Sequence, residues 1–327
     1  MRKVWIALAL ALLLAGIYWL IPGLRTPAVK TYVISVIQLT SVDSATFAGL
    51  VEGLAERDYK EGKNIVFLND GPAGSIDKLA PMIARHLAHK VDMIFVSSTP
   101  AALAVKHATE GKNIPVVFAP VNDPVGSGIV QSIQKPGGNI TGIRLPAGDD
   151  VRMQWLTKLA PHVKRVLVPY TPGDKSALAS LDLARQAAQT LGLALIEREV
   201  GNEAALRQLL LSLPAEAEAI FLPRDSSVES HIREIVAAAE QRHLPLCAPS
   251  LSQVEAGALL SYGFAHREIG IQAAGLVDQV LRGTPPADLP VETAESHLAI
   301  NLRTAQAIGL PIPDEILFQA EKVIRQP

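Results

Sequence analysis

The chain has 327 residues, 49% of them apolar and 19% charged, with a formal net charge of −2. That length exceeds what one small core needs and suits two lobes of ordinary domain size, and the apolar share excludes a disordered chain. No basic stripe or Lys/Arg-rich run occurs, so nucleic-acid binding has no electrostatic footprint.

Met1-Arg2-Lys3 supplies a short positive region, and Val4 to Ile21 is a run of 18 residues without a charge. Positive end first and apolar stretch second is the order of a secretory signal peptide, expected over residues 1–26. The run is also at the lower limit for a spanning helix. It carries Tyr18 and Trp19, which suit a membrane interface, and no clear small-x-small site closes it. A cleaved signal and an uncleaved inner-membrane anchor therefore both fit. Ile17 follows Ala15-Gly16 where a lipoprotein needs Cys, which excludes that anchor. Either way the rest of the chain is expected in the periplasm or another extracytoplasmic space.

From Lys30 onward, apolar runs of strand length alternate with segments of helical period. Tyr32 to Leu39 reads as a strand and ends in Thr40, Ser41, Asp43 and Ser44. A helix over about Ala45–Arg57 puts Phe47, Leu50, Val51 and Leu54 on one face. Ile65–Leu68 reads as a strand, Ile76–His89 as a helix and Val91–Val96 as a strand that breaks into Ser97-Ser98-Thr99-Pro100. Thr99 as N-cap with Pro100 at the first helical position is a helix start. Ile114–Ala119 is a further buried strand, ending in Pro120, Asn122, Asp123 and Pro124. Gly137-Gly138-Asn139 is then a turn leading to another short strand and out of the first lobe.

The second half repeats the scheme. Strands are expected at Arg165–Pro169, Leu193–Glu197, Ala219–Leu222 and Pro245–Ala248, and helices at Leu178–Leu191, Ala204–Leu211 and Val228–Arg242. Such alternation implies right-handed crossovers and parallel sheets, hence an α/β protein of two similar, doubly wound lobes.

Ligands of open α/β sheets collect at the carboxyl ends of strands. Gln38, Ser41, Ser98, Thr99, Asn122, Asp123, Tyr170, Ser176, Asp225, Ser250 and Tyr262 all occupy such ends or the turns that follow them. Each could equally be a cap or turn former. Aligned at facing edges of two sheets, they line a cleft of short polar groups suited to a small polar ligand. Asp123 and Asp225 could pair with a ligand ammonium. Backbone amides at the helix start after Thr99 could hold a ligand carboxylate.

Catalytic patterns are absent. There is no GxxxxGK[ST] or GxSxG, and Gly126-Ser127-Gly128 lacks the strand-to-helix position of a dinucleotide fingerprint. His86 and His89 read as a solvated helix face rather than metal ligands. The single Cys247, in LPLCAP, reads as a buried small hydrophobe. No enzyme, cofactor or metal is expected. Outside the leader the only Trp is Trp155, which disfavours a sugar ligand, although Tyr170, Tyr262 and Phe264 sit near the expected cleft.

Six segments carry a family resemblance: DYKEGKNI (58–65), STPAALA (98–104), IPVVFAPVNDPVGSGIVQSIQKPGGNITGI (114–143), LPRDSSV (222–228), GALLSYG (257–263) and LRGTPPADLPVET (281–293). On these the chain resembles the solute-binding proteins of ABC transporters of the tryptophan- and tyrosine-binding type. The resemblance implies a type I periplasmic-binding-protein fold, two lobes joined by a multi-strand hinge. It implies one lobe of residues 30–142 plus 264–290 and another of 143–263 plus 291–327. It also implies ligand contacts at Gln38, Thr99, Asp123, Ser176, Asp225 and Tyr262. Two loops depart from the family pattern: LTSVDSATF after Gln38 is shorter and lacks a His-Pro pair, and YTPGDKS replaces an Asn-rich loop. Both are expected at the cleft, which leaves the family's aromatic amino-acid specificity open here.

The expectation is thus a monomeric solute-binding component of an ABC import system. It would capture an amino acid or related zwitterion by hinge closure and deliver it to a permease in the inner membrane. An extracytoplasmic, membrane-anchored sensor feeding a signalling partner is the alternative. An enzyme of doubly wound fold ranks below both.

Overall fold

The computed structural model describes residues 30–325. The signal peptide or anchor expected over residues 1–26 falls outside the described residues. Among those described, no helix is long and apolar enough to cross a membrane.

The first sheet contains β1 (Tyr32–Ile37), β2 (Ile65–Leu68), β3 (Met93–Val96), β4 (Val116–Val121) and β5 (Ile140–Arg144), all parallel, in the order β2-β1-β3-β4-β5. Helices α1 (Ser44–Ala55), α2 (Leu79–Leu87) and α3 (Thr99–Thr109) connect them. The strands are apolar on both faces because both are covered. Ile34, Val36, Phe95 and Val117 fill one core layer; Ile37, Ile94, Val96 and Phe118 fill the other.

The second sheet repeats that order. It contains β6 (Arg165–Tyr170), β7 (Ala194–Glu199), β8 (Ala219–Phe221), β9 (Leu246–Cys247) and β10 (Leu260–Gly263), arranged β7-β6-β8-β9-β10 and again parallel. Its helices are α4 (Asp149–Leu159), α5 (Lys175–Leu191), α6 (Glu203–Leu211), α7 (Ser226–Glu229), α8 (Ile232–Gln241) and α9 (Leu251–Glu255). The two-lobed, doubly wound expectation holds.

After β10 the chain returns to the first lobe as α10 (His266–Leu281), packed on α1 so closely that no Cβ fits between the backbones at Gly49 and Gly270. A Cβ on Gly49 would lie 1.9 Å from the Arg267 carbonyl oxygen, and one on Gly270 would lie 2.0 Å from that of Thr46. Glycine is required at both positions by this close approach. Strand β11 (Glu292–Thr293) then pairs with β5, and the chain crosses back to form β12 (His297–Asn301), antiparallel to β10, followed by α11 (Leu302–Ala307), α12 (Asp314–Leu317) and β13 (Lys322–Ile324). The lobes are therefore joined near 144–149, 263–266 and 293–297. The register Glu292↔Ile143 and Thr293↔Arg144 keeps these residues in the first sheet, a few positions beyond the lobe boundaries expected from the resemblance.

Local differences have local causes. Ser98, not Thr99, is the N-cap of α3, with Thr99 inside the helix. The helix expected over Val228–Arg242 is split, because Asp225 caps a short α7 and the chain restarts at Ile232. The helix expected from Ile76 opens as a 3₁₀ turn over Ile76–Lys78.

Candidate ligand-binding cleft

The carboxyl ends of the two sheets face each other. Asn122, after β4, donates from Nδ2 to the Ser176 carbonyl of the second lobe (3.2 Å), and Lys175 Nζ donates to the Ser127 carbonyl of the first (2.9 Å). From Tyr32 onward the described chain clusters as one unit.

On the first-lobe side the polar groups left without a partner are neutral. Gln38 follows β1, is buried, and leaves Nε2 without a partner. Ser97 and Ser98 follow β3, are 0% and 5% exposed, and both hydroxyls lack a hydrogen-bond partner. Ser98 sits at φ 78°, a conformation rare for a non-glycine residue, at the start of α3. Unpaired backbone N–H groups of the first helical turn and the positive end of the helix dipole lie at this same place. The Thr99 hydroxyl is spent on the Asn122 amide (3.3 Å). Asp43 is buried and accepts from the amides of Leu39 (2.9 Å) and Thr40 (3.1 Å), holding the loop after β1. Burial pushes its carboxyl up to about 6 against those two bonds.

On the second-lobe side the groups are carboxylates. Asp174 caps α5: Oδ1 accepts from Ser176 N (2.8 Å) and Ala177 N (3.4 Å). Its Oδ2 has no partner although the residue is 3% exposed. Burial, then the charge of Asp225, raises its carboxyl to about 7. Asp225 caps α7 with Oδ1, accepting from Ser227 N (3.0 Å) and Val228 N (3.1 Å), while Oδ2 accepts from Thr171 N (2.6 Å). Burial raises it against those bonds. Glu229 behind it is pushed to about 8 by burial and by Asp225. Its Oε1 accepts from Asp225 N (3.0 Å) and its Oε2 from Gln253 Nε2 (2.9 Å). The Ser261 hydroxyl is buried and unpartnered.

A buried ionic cluster joins this array to the crossing segments. Arg224 donates from Nη1 to Asn122 Oδ1 (2.8 Å) in the first lobe and to the Pro146 carbonyl (2.7 Å) between β5 and α4. Its Nε lies 3.7 Å from Asp149 Oδ2. Asp149 is ion-paired with Arg152 and accepts from the Ser180 hydroxyl (2.7 Å). Burial works to raise the Asp149 carboxyl, but the charges of Arg224 and Arg152 outweigh it and hold it below the ordinary range.

Of the residues singled out in the sequence, Gln38, Ser98, Thr99, Asn122, Ser176 and Asp225 stand where the lobes meet. Asp225, however, has both carboxylate oxygens committed to backbone amides. Asp123 is exposed and accepts from Gly126 N (2.9 Å), capping its own turn. Ser41 is exposed and opens a 3₁₀ turn. The Tyr170 hydroxyl donates to Glu199 (3.1 Å) on the neighbouring strand. Ser250 N is bonded to Gln253 Oε1 (3.0 Å) in the α9 cap. Tyr262 is half-buried against the second core. Ser97, Asp174 and Arg224 belong to the same polar strand ends but are not among the residues singled out as contacts. Asp174 has a sequence signal, an Asp after Pro-Gly at a strand end. The role of Arg224 depends on a partner that sequence does not point to.

Among the described residues no group of three or more His, Cys, Asp or Glu is placed to hold a metal ion. Cys247 is buried, and burial pushes its thiol up to about 12, so it is chemically inert.

Residues 31–324 match the family described as ABC transporter substrate binding protein. A tyrosine-binding protein of Clostridioides difficile is 27% identical over 290 residues, 88% of this chain and 83% of that protein. Among solved structures, a conserved domain protein from Vibrio cholerae is 31% identical with a TM-score of 0.85, covering 90% of this chain and 100% of the other. A Streptococcus pneumoniae ABC domain in complex with L-Trp is 27% identical with a TM-score of 0.84, over 90% of this chain and all of that one. A ligand-free, open substrate-binding protein with adhesive properties from Clostridium difficile, at 25% identity and the same coverage, scores 0.65.

Proposed function

The chain belongs to the ABC transporter substrate-binding proteins, and on that premise we propose that it captures an amino acid or a closely related zwitterion between its two lobes. The observation that carries this is the buried Asp174 Oδ2, which has no hydrogen-bond partner. A buried carboxylate oxygen without a donor is costly unless a cation fills its place. A ligand ammonium supplies that cation, and its carboxylate reaches the α3 start, where the Ser97 and Ser98 hydroxyls stand open.

Each half of the ligand is thereby held by a different lobe, so binding favours the state in which the lobes meet. The far greater similarity to the L-Trp complex than to the open, ligand-free relative, at nearly equal identity, supports reading the present arrangement as that closed state. The closed protein would then deliver its ligand to an ABC permease from outside the cytoplasm, as a monomer and without catalysis of its own. The apolar run Val4–Ile21 favours a second reading, a tethered sensor that reports occupancy to a signalling partner.

Titration calorimetry of the protein with the common L-amino acids tests the proposal. Micromolar or tighter binding of one of them, lost in Asp174→Asn, is expected. Tight binding that survives Asp174→Asn would remove Asp174 from the site, and binding of sugars or nucleosides alone would overturn the zwitterion reading.

A further inference from the structure

The turn Asn122–Gly128, between β4 and β5, is held in shape by its own bonds. Asp123 Oδ1 accepts from Gly126 N (2.9 Å), Ser127 N donates to the Asp123 carbonyl (3.0 Å) and Gly128 N to that of Val125 (2.9 Å). Gly128 sits at φ 76°, which glycine adopts without strain. A Cβ on Gly126 would lie 2.0 Å from Asp123 Oδ2, so its absence leaves room for the Asp123 bond. Two successive carbonyls of this turn each accept from a lysine. Gly128 takes Lys106 of α3, in the same lobe, and Ser127 takes Lys175 of α5, in the other (2.9 Å). Asn122 bridges the lobes twice more: Nδ2 donates to the Ser176 carbonyl (3.2 Å), and Oδ1 accepts from Arg224 Nη1 (2.8 Å).

The receiving side is equally fixed. Lys175 and Ser176 are the first two residues of α5, and Asp174 caps that turn through Ser176 N (2.8 Å). The Ser176 hydroxyl donates to the Arg224 carbonyl (2.8 Å), which ties the α5 start to the end of β8. Ser127 is 3% exposed although Val125, Gly126 and Gly128 around it are exposed, whereas Lys175 is itself exposed and reaches the contact from its solvent edge. The Lys175 and Asn122 bonds join protein to protein across the lobes and need no ligand in order to form.

We propose that the turn Asn122–Gly128 and the start of α5 form a latch that closes the lobes without ligand. Lys175 and Asn122 are its positioning residues, and they set how often the empty cleft is closed. The buried, open polar groups of the two edges make closure of an empty cleft costly, and the latch offsets part of that cost. The empty protein therefore keeps a minority closed state for a ligand to select. Apparent affinity scales with that minority, so weakening the latch lowers affinity without touching the ligand. This last consequence rests on the reading of the cleft as the ligand site; the latch itself does not.

Pulsed electron spin resonance between labels at Lys78→Cys and Arg207→Cys, in the full chain without ligand, tests it. These positions adjoin Asp77 and Leu206, which line one cavity between the lobes, and Cys247 is buried and takes no label. We expect two distances, the shorter one a minority. Lys175→Met should cut the short-distance share about threefold, the weight of one exposed hydrogen bond, at an unchanged melting temperature. Lys175→Arg, which keeps a cationic donor, should restore it. Asn122→Ala, which removes both of its bridges, should cut the share further than Lys175→Met. A single long distance with the latch intact would overturn the latch and leave the zwitterion reading in place. So would a short-distance share unmoved by both Lys175→Met and Asn122→Ala.

Discussion

The two edges of the cleft are built on the same strand order yet carry opposite chemistry. At the ends of β1 and β3 the open groups are an amide, two hydroxyls and a helix start. At the ends of β6 and β8 they are carboxylates, three of them buried, with the charge of Asp225 raising both Asp174 and Glu229. Two lobes of the same topology can thus split the recognition of one zwitterion, each taking the charge that the other would repel. Neither edge satisfies its own polar groups, so closure around a ligand is favourable where closure alone is costly.

The sharpest way to break this asymmetry is to discharge the second lobe. Asp174→Asn keeps an N-cap for α5 but removes the counter-charge, and we expect ligand binding to weaken by about 2–5 kcal/mol in calorimetry. Asp225→Ala should divide differently: its carboxylate caps α7 and holds Thr171, so thermal stability should fall by on the order of 1–3 kcal/mol as backbone donors lose their acceptor. If instead Asp225→Ala leaves the melting temperature unchanged and abolishes binding, the roles of the two aspartates are reversed.

Arg224 joins the edges, and its removal tests whether they are held together. Arg224→Met takes away the Asn122 bond and one of the two cations beside Asp149. A stability loss of about 2–4 kcal/mol by denaturant unfolding is expected, because a buried carboxylate loses half its compensation.

The asymmetry should also appear in pH. Asp174 and Glu229 have folded-state pKa values of about 7 and about 8, above their ordinary values of 3.8 and 4.5. The folded state therefore binds more protons than the unfolded state between roughly pH 4 and 8, and ligand-free stability must fall as pH rises through that window. A drop on the order of 6 kcal/mol is expected from these two groups between pH 5 and pH 8.5, at about 1.4 kcal/mol per unit for each group while its folded form stays protonated. Bound ammonium reverses the sign for affinity. Asp174 must be ionised to pair, so binding should weaken below about pH 7 and release a proton, seen as a buffer-dependent binding enthalpy. A flat pH profile would contradict the buried-carboxylate account. The smallest effect is expected on the neutral edge, where Ser98→Ala should cost about 1 kcal/mol of affinity, one hydrogen bond's worth.

Much of this was legible in the chain. Alternating strand and helix patterns located the strands of both sheets as far as β9, and turn residues marked their carboxyl ends, because backbone conformation responds to local composition. The antiparallel β12 was not legible, and the return of α10 came only with the family resemblance, which put 264–290 in the first lobe, since pairing with β10 and packing on α1 depend on residues far away. Gly49 and Gly270 show the same limit: each reads as a weak point in a helix until the other helix is seen to need the space.

The sequence by itself determined an α/β chain with polar groups at its strand ends, and its family. Only the tertiary structure decided which of those groups remain free. Asp225 looked open until Thr171, 54 residues away, was found donating to it, and Arg224 acquired its role from Asn122, 102 residues away. A hydrogen-bonding group has a fixed number of partners, and whether distant residues have already used them is a property of the fold, not of the segment in which the group is read.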